Sequence, residues 1–236
     1  DHRDLHVRSR RQRQMCIRDS PMGAEAMLLC ESDGSSEEVE SEIAKTSEVL
    51  TKAGATEITV STDEAQRLKL WAGRKSAFPA VGRVLPDYFC MDGTIPRKTL
   101  PRVLKRIAEM EKEFQLQCAN VFHAGDGNLH PLIMFDANEG DQLHRAELYG
   151  AAILELCVEV GGTITGEHGV GIEKINQMCV QFDNHEIQTF LDLKSAFDPD
   201  RRLNPGKAIP TLNRCAEFGH MHVHRGEERF PDIPRF

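Results

Sequence analysis

The spacing of apolar residues changes period repeatedly along the chain, and each change predicts an element. Ala26 to Cys30 is a short, mostly apolar run of strand length. Ser35 followed by Glu38 is a capping box. Val39, Ile43, Thr46, Leu50 and Ala53 then share one helical face, and Gly54 supplies the stop. Ile58 to Val60 reads as a second short strand, and Ser61 with Glu64 opens a helix through Leu68 and Trp71, with Pro79 beyond its end. Asp87 to Asp92 is aromatic and short, a strand closed by Gly93. Pro101 sits in the first turn of a helix whose Val103, Leu104, Ile107, Met110 and Phe114 follow the 3.6 period. Ala119 to His123 and Leu129 to Phe135 read as two strands around a glycine-rich turn. A long helix from Asp141 to Val160 stops at Gly161-Gly162 and precedes a short strand, Thr163 to Thr165. A last helix, Asn184 to Phe197, ends at Asp198-Pro199. No internal repeat or low-complexity linker interrupts this order. Strands interleaved with helices, one tight hairpin among them, predict an α+β domain: an antiparallel sheet with helices packed on one face.

Composition narrows the function classes. With 236 residues, 40% hydrophobic and 28% charged, the chain can bury a substantial core as one large or two small domains. A net charge of −8 excludes phosphate-backbone binding as the main task, since a nucleic-acid site needs a basic stripe. The longest stretch without Asp, Glu, Lys or Arg, Phe114 to Gly125, is well short of the roughly 20 residues of a membrane span. Seven cysteines, an odd number with no CxxC pair, suit reduced thiols in a cytoplasmic protein and argue against a cysteine-held zinc or iron-sulfur cluster. Residues 1–20 differ from the rest. Their six arginines and three aspartates give net +3, which leaves −11 on the remainder. Arg11 to Ser20 resembles translated adapter text, so residues 1–20 are expected to be a non-native, disordered tail before a body spanning 21–236.

The candidate chemistry lies in two segments. In Val121-Phe-His-Ala-Gly-Asp-Gly-Asn-Leu-His-Pro-Leu132, Asp126-Gly127 is a preferred two-residue hairpin loop, because a type I′ turn demands positive φ at both positions. That loop would set His123 directly opposite His130, near enough for both imidazoles to hold one ion. Surplus glycine and Pro131 could widen the turn or shift the register. Gly166-Glu-His-Gly-Val-Gly171 adds a carboxylate and an imidazole on a glycine-flanked loop. His123, His130 and Glu167 form a two-imidazole, one-carboxylate set of the catalytic zinc type. His168 is the nearby base. The plainer alternative is two histidines flanking a glycine turn, with the second glycine cluster a simple turn. Three further features stay open between a functional and a plain reading: His220-Met-His-Val-His224 as metal ligands or an exposed strand face, the acidic runs Glu37 to Glu42 and Glu109 to Glu113 as a docking surface or solvated helix faces, and Lys174 as a substrate contact or a helix-end cap.

His123-Ala-Gly-Asp-Gly-Asn-Leu-His130, Gly166-Glu-His-Gly-Val-Gly171 and Asp198-Pro199 with Leu203-Asn-Pro-Gly-Lys207 resemble, in order, three motifs of the FAD-linked oxidase C-terminal domain family. Trp71 to Pro79, Asp92 to Pro96 and Lys207 to Phe218 resemble more narrowly one branch, the FAD-linked subunits of bacterial glycolate oxidase. The resemblance implies a ferredoxin-like cap domain whose FAD is bound mainly by a preceding domain. It implies a divalent metal, with zinc the expectation, on His123, His130 and Glu167, and His168 as catalytic base. Arg74 would hold the substrate carboxylate bidentately, and Asn204 would face the flavin. Relatives acting on larger dicarboxylates carry polar groups where this chain has Cys90 and Leu132, which points to a small 2-hydroxy acid such as glycolate or D-lactate. The implied partners are further subunits, one an iron-sulfur protein. The implied location is cytoplasmic, peripheral to the inner membrane through those partners. Two rival readings use the same residues: a metal-dependent hydrolase, and a non-catalytic metal-binding module.

Overall fold

The computed structural model describes residues 3–7, 24 and 26–211. Its centre is a five-stranded sheet in which every neighbouring pair is antiparallel. The strands are β1 (Arg3–Val7), β2 (Ala26–Cys30), β3 (Asp87–Cys90), β4 (Gln117–His123) and β5 (Pro131–Phe135), in the spatial order β2-β1-β4-β5-β3. Five residues of the segment expected to be a disordered tail thus form an inner strand. The alternation of Arg3, Leu5 and Val7 with Asp4 and His6 is the period-2 signal that the arginine-rich composition obscured.

Seven helices accompany the sheet among the described residues: α1 (Ser36–Lys52), α2 (Glu64–Lys75), α3 (Ala77–Val81), α4 (Leu100–Phe114), α5 (Gln142–Glu159), α6 (Met178–Gln181) and α7 (Asn184–Phe197). Local signals explain their ends. The expected capping box closes α1, with the Ser35 amide donating to Glu38 Oε2 at 2.9 Å, and Gly54 ends it at φ +87°. Asp183 and Glu186 make the same box at α7. The start of α2 differs from expectation. Asp63, not Ser61, is the cap, accepting from the Gln66 amide at 2.8 Å. Ile58 to Val60 is exposed coil, because no strand among the described residues lies beside it to complete a ladder.

Side-chain alternation on β4 and β5 sends two apolar sets to opposite faces. Cys118, Phe122, Ile133 and Phe135 join Val103, Ile107 and Met110 of α4 and Tyr149, Ile153 and Cys157 of α5 in the main core. The Tyr149 hydroxyl donates to the Ile107 carbonyl at 2.7 Å, tying these helices together without leaving a buried polar group unpaired. Ala119, Val121, Leu132 and Met134 line the other face, where Ala77 and Val81 of α3 cover them.

The run β3-α4-β4-β5-α5, with β5 between β3 and β4, has the order of a ferredoxin-like split βαβ unit. After α5 a single antiparallel bridge, Thr94 to Thr163, stands where a fourth strand would lie, in place of the expected strand Thr163 to Thr165. The cysteines also depart in part from expectation: Cys90, Cys118 and Cys157 are free thiols, whereas Cys179 is disulfide-bonded.

Candidate metal and proton-transfer site

The hairpin joining β4 and β5 turns through four residues, Ala124 to Gly127, rather than the expected two. The His123 amide donates to the Asn128 carbonyl at 3.0 Å and the Gly127 amide to the His123 carbonyl at 3.1 Å. Gly127 alone has positive φ, +74°, so the type I′ requirement at both loop positions is not met. His123 therefore faces Asn128, and the His130 carbonyl accepts from the Val121 amide. The two imidazoles are diagonal neighbours rather than opposite ones. They still share a face, because a register change of two residues preserves side-chain parity where a change of one would reverse it. Their ring centroids are 5.5 Å apart, edge to face.

The segment following β3 locks this turn against the loop after α5. The Leu129 amide donates to the Gly93 carbonyl, the Ile95 amide to the Gly127 carbonyl, and Thr94 and Thr163 exchange backbone hydrogen bonds. Asp92 is the hub. Fully buried, its carboxylate accepts from the amides of Gly166, Glu167 and His168 at 3.1, 3.2 and 3.0 Å, from the Thr165 hydroxyl at 2.8 Å and from the Lys174 ammonium at 2.9 Å. Burial alone would raise its pKa. The ammonium, the amides and the hydroxyl outweigh that and hold it well below the ordinary carboxylate value. The ladder does not continue regularly beyond Thr163: the Ile164 amide donates to Gln181 Oε1 at 2.9 Å, and the Gly166 amide donates to the Asp92 carbonyl at 2.7 Å as well as to its carboxylate. Gly166 permits the approach, since a Cβ there would sit 2.6 Å from Asn128 Oδ1.

Held this way, the loop brings Glu167 and His168 to the hairpin. Glu167 Oε1 lies 2.8 Å from Nε2 of His130, 3.9 Å from Nε2 of His123 and 3.7 Å from Nε2 of His168. The His130 and His168 rings stack, with centroids 4.9 Å apart. Burial, aided by His168, pushes His130 below its ordinary pKa against the pull of Glu167, so its imidazole is neutral and available as a ligand at pH 7. Glu167 and His168 are about half exposed, which leaves one side of the cluster open. Three imidazole nitrogens gathered on one carboxylate oxygen fit a divalent cation. Two compact donor sets, each with its atoms within 4.8 Å of one another, are His130, Glu167 and His168 with Asp92, and His130 and His168 with Cys90.

Arg74, near the end of α2, places its guanidinium 5.8 Å from the Phe78 ring, which packs on the imidazole-bearing face. It is close enough to act electrostatically on the Cys90 thiol, which burial and then Asp92 push up to about 12 while Lys174 and Arg74 pull it down. Among the described residues, Asn204 makes no hydrogen bond to these side chains. It is exposed at φ +45° on a turn that Asp198 holds by accepting from the amides of Arg202 and Leu203, and that the Ala208 amide ties to the Gly171 carbonyl. Lys174 is neither a helix cap nor exposed to substrate; it is buried against Asp92 and Thr165. Residues His220 to His224 lie outside the described residues. The sequence reading missed Asp92 and Lys174 as a pair. The signal for them was an aspartate at the end of an apolar strand and a lysine after a glycine turn, two groups whose burial requires a partner.

The model of FAD-linked oxidases, C-terminal domain, matches residues 2–208. The chain belongs to the FAD-linked oxidase C-terminal domain family. It is 62% identical over 216 residues to the glycolate oxidase subunit GlcD of Escherichia coli K12, covering 92% of this chain and 43% of that protein. Over 187 residues it is 37% identical to the glycolate oxidase subunit GlcD of Bacillus subtilis, 79% of this chain and 40% of that one. It is 32% identical over 186 residues to a D-lactate dehydrogenase of Anaerostipes hadrus, 77% and 39% of the two chains. This FAD-linked oxidase domain thus spans less than half the length of these relatives. No helix among the described residues is long and apolar enough to cross a membrane.

Proposed function

We propose that this domain is the substrate- and metal-binding part of a flavin-dependent 2-hydroxyacid dehydrogenase acting on glycolate or D-lactate. The observation that carries the reading is the gathering of His123, His130 and His168 around Glu167 Oε1, on the sheet face that α2 and α3 flank with Arg74. His123, His130 and Glu167 would hold a divalent cation, zinc being the type their donors suit. A cation held there would supply Lewis acidity toward the substrate hydroxyl, and a flavin would supply the hydride acceptor. Arg74 holds the substrate carboxylate, fixing which face of the α-carbon is presented. His168 accepts the hydroxyl proton at its imidazole nitrogen, and its half exposure lets that proton pass to solvent. Cys90 and Leu132 stand where relatives acting on dicarboxylates carry polar groups, which favours a monocarboxylate. Asn204, on the turn tied to Gly171, would face the flavin. Names that describe subunits of glycolate oxidase support further partner chains. In this reading one partner is an iron-sulfur protein that carries electrons onward, and the assembly works in the cytoplasm, peripheral to the inner membrane.

Metal analysis of the wild type beside His130→Ala tests the assignment. The variant should bind zinc or manganese at least about 100-fold more weakly, given that loss of a second-shell partner alone costs 10- to 100-fold. Equal metal content in both proteins would remove His130 from the ligand set.

A further inference from the structure

The donor set containing sulfur shares His130 and His168 with the dehydrogenase assignment, but that assignment gives its thiol no ligand role. Cys90 ends β3 opposite Leu132, and its Sγ, a nitrogen of His130 and a nitrogen of His168 lie within 4.8 Å of one another. The competing set, which has Asp92 and Glu167 in place of sulfur, is the weaker four-donor candidate, because the Asp92 oxygens already accept five donors. Cys90 is less committed. Its thiol is half-buried and donates a weak hydrogen bond to the Met91 carbonyl at 3.6 Å, which a metal–sulfur bond can replace.

We propose that Cys90, His130 and His168 form a site for a thiophilic divalent cation, separate from the His123, His130 and Glu167 set and mutually exclusive with it because His130 belongs to both. One sulfur and two imidazole nitrogens suit zinc or cadmium, whereas a carboxylate with imidazoles also accepts manganese. As the metal–sulfur bond forms, the thiol proton passes to solvent; no electron moves. Capture of His168 would remove the proton acceptor, making such a cation an inhibitor. That consequence rests on the dehydrogenase reading, but the binding does not.

Cadmium titration of the 236-residue chain, followed by the ultraviolet sulfur-to-cadmium charge-transfer band, tests the site. The wild type should develop the band. Cys90→Ser and His168→Ala should each lose it and bind cadmium more than about tenfold more weakly, while Glu167→Gln keeps it. In parallel, manganese binding followed by electron paramagnetic resonance should survive Cys90→Ser and fail in Glu167→Gln, and cadmium should displace manganese. A band that persists in Cys90→Ser, or cadmium and manganese binding together without competition, overturns the proposal. If manganese fails to bind while the Cys90-dependent band appears, the dehydrogenase ligand set falls and this inference stands.

Discussion

Asp92 determines whether Glu167 and His168 point at the hairpin. A carboxylate removed from water is costly unless its lone pairs are filled, and here three backbone amides, one hydroxyl and one ammonium fill them. Asp92→Asn keeps the shape but leaves Lys174 buried beside a neutral amide. It should lower stability at pH 7 by about 3–5 kcal/mol, the usual effect of breaking a buried ion pair. The pH dependence has a definite sign. Because the folded-state pKa is depressed, the stabilisation is fully present above the ordinary value near 3.8 and is lost as pH falls toward the folded value. Denaturant unfolding across a pH series should therefore show the gap between wild type and Asp92→Asn narrowing below about pH 4. Adding Lys174→Met to Asp92→Asn should recover part of the loss at pH 7 by removing the stranded charge. Equal stability of wild type and Asp92→Asn at pH 7 would show that the pair does not organise the loop.

At the level of elements, the hairpin and the loop after α5 must fit each other, and Gly166 is where they touch. A Cβ there would meet Asn128 Oδ1 at 2.6 Å and Thr94 Cγ2 at 2.8 Å. Gly166→Ala should cost about 1–3 kcal/mol by overpacking and should also weaken cation binding, since the loop carrying Glu167 must shift. Ile107→Ala in α4 provides the contrast: fully buried in the main core, it should cost about 2–5 kcal/mol while leaving cation affinity unchanged. Calorimetry with metal titration on both variants separates the two effects; equal loss of affinity would mean that global stability, not loop placement, controls the site. The same contrast explains what the sequence made legible. The cap of α1, the bounds of α7 and the 3.6 period of α4 are local, and they appear where the pattern puts them. The four-residue turn, the coil at Ile58 to Val60 and the strand at Arg3 to Val7 depend on partners far along the chain. His123 and His130 still converge because the register error was even, and period-2 parity is what an even shift conserves. No local pattern announces that Asp92 will gather three amides from residues 166–168.

For the whole molecule, the question is whether this domain can act in a relative's framework. At 62% identity over 216 residues, its core and site should fit in place of the matched 43% of the Escherichia coli glycolate oxidase subunit. A hybrid carrying the remainder of that subunit ahead of this chain should bind flavin and reduce a dye with glycolate or D-lactate. The chain without that remainder should do neither. Within the hybrid, His168→Ala should reduce kcat by about 10²- to 10⁴-fold at unchanged flavin content, the range for losing a general base. Arg74→Lys should act mainly on KM, because one ammonium cannot reproduce the two parallel hydrogen bonds of a guanidinium to a carboxylate. The split between the two variants matters more than either loss. A proton acceptor works in the transition state, whereas a carboxylate clamp also holds the ground state. If His168→Ala left kcat intact in a flavin-loaded, metal-loaded hybrid, proton transfer would have to proceed through another group, and the proposed roles of His168 and Glu167 would need to be reassigned.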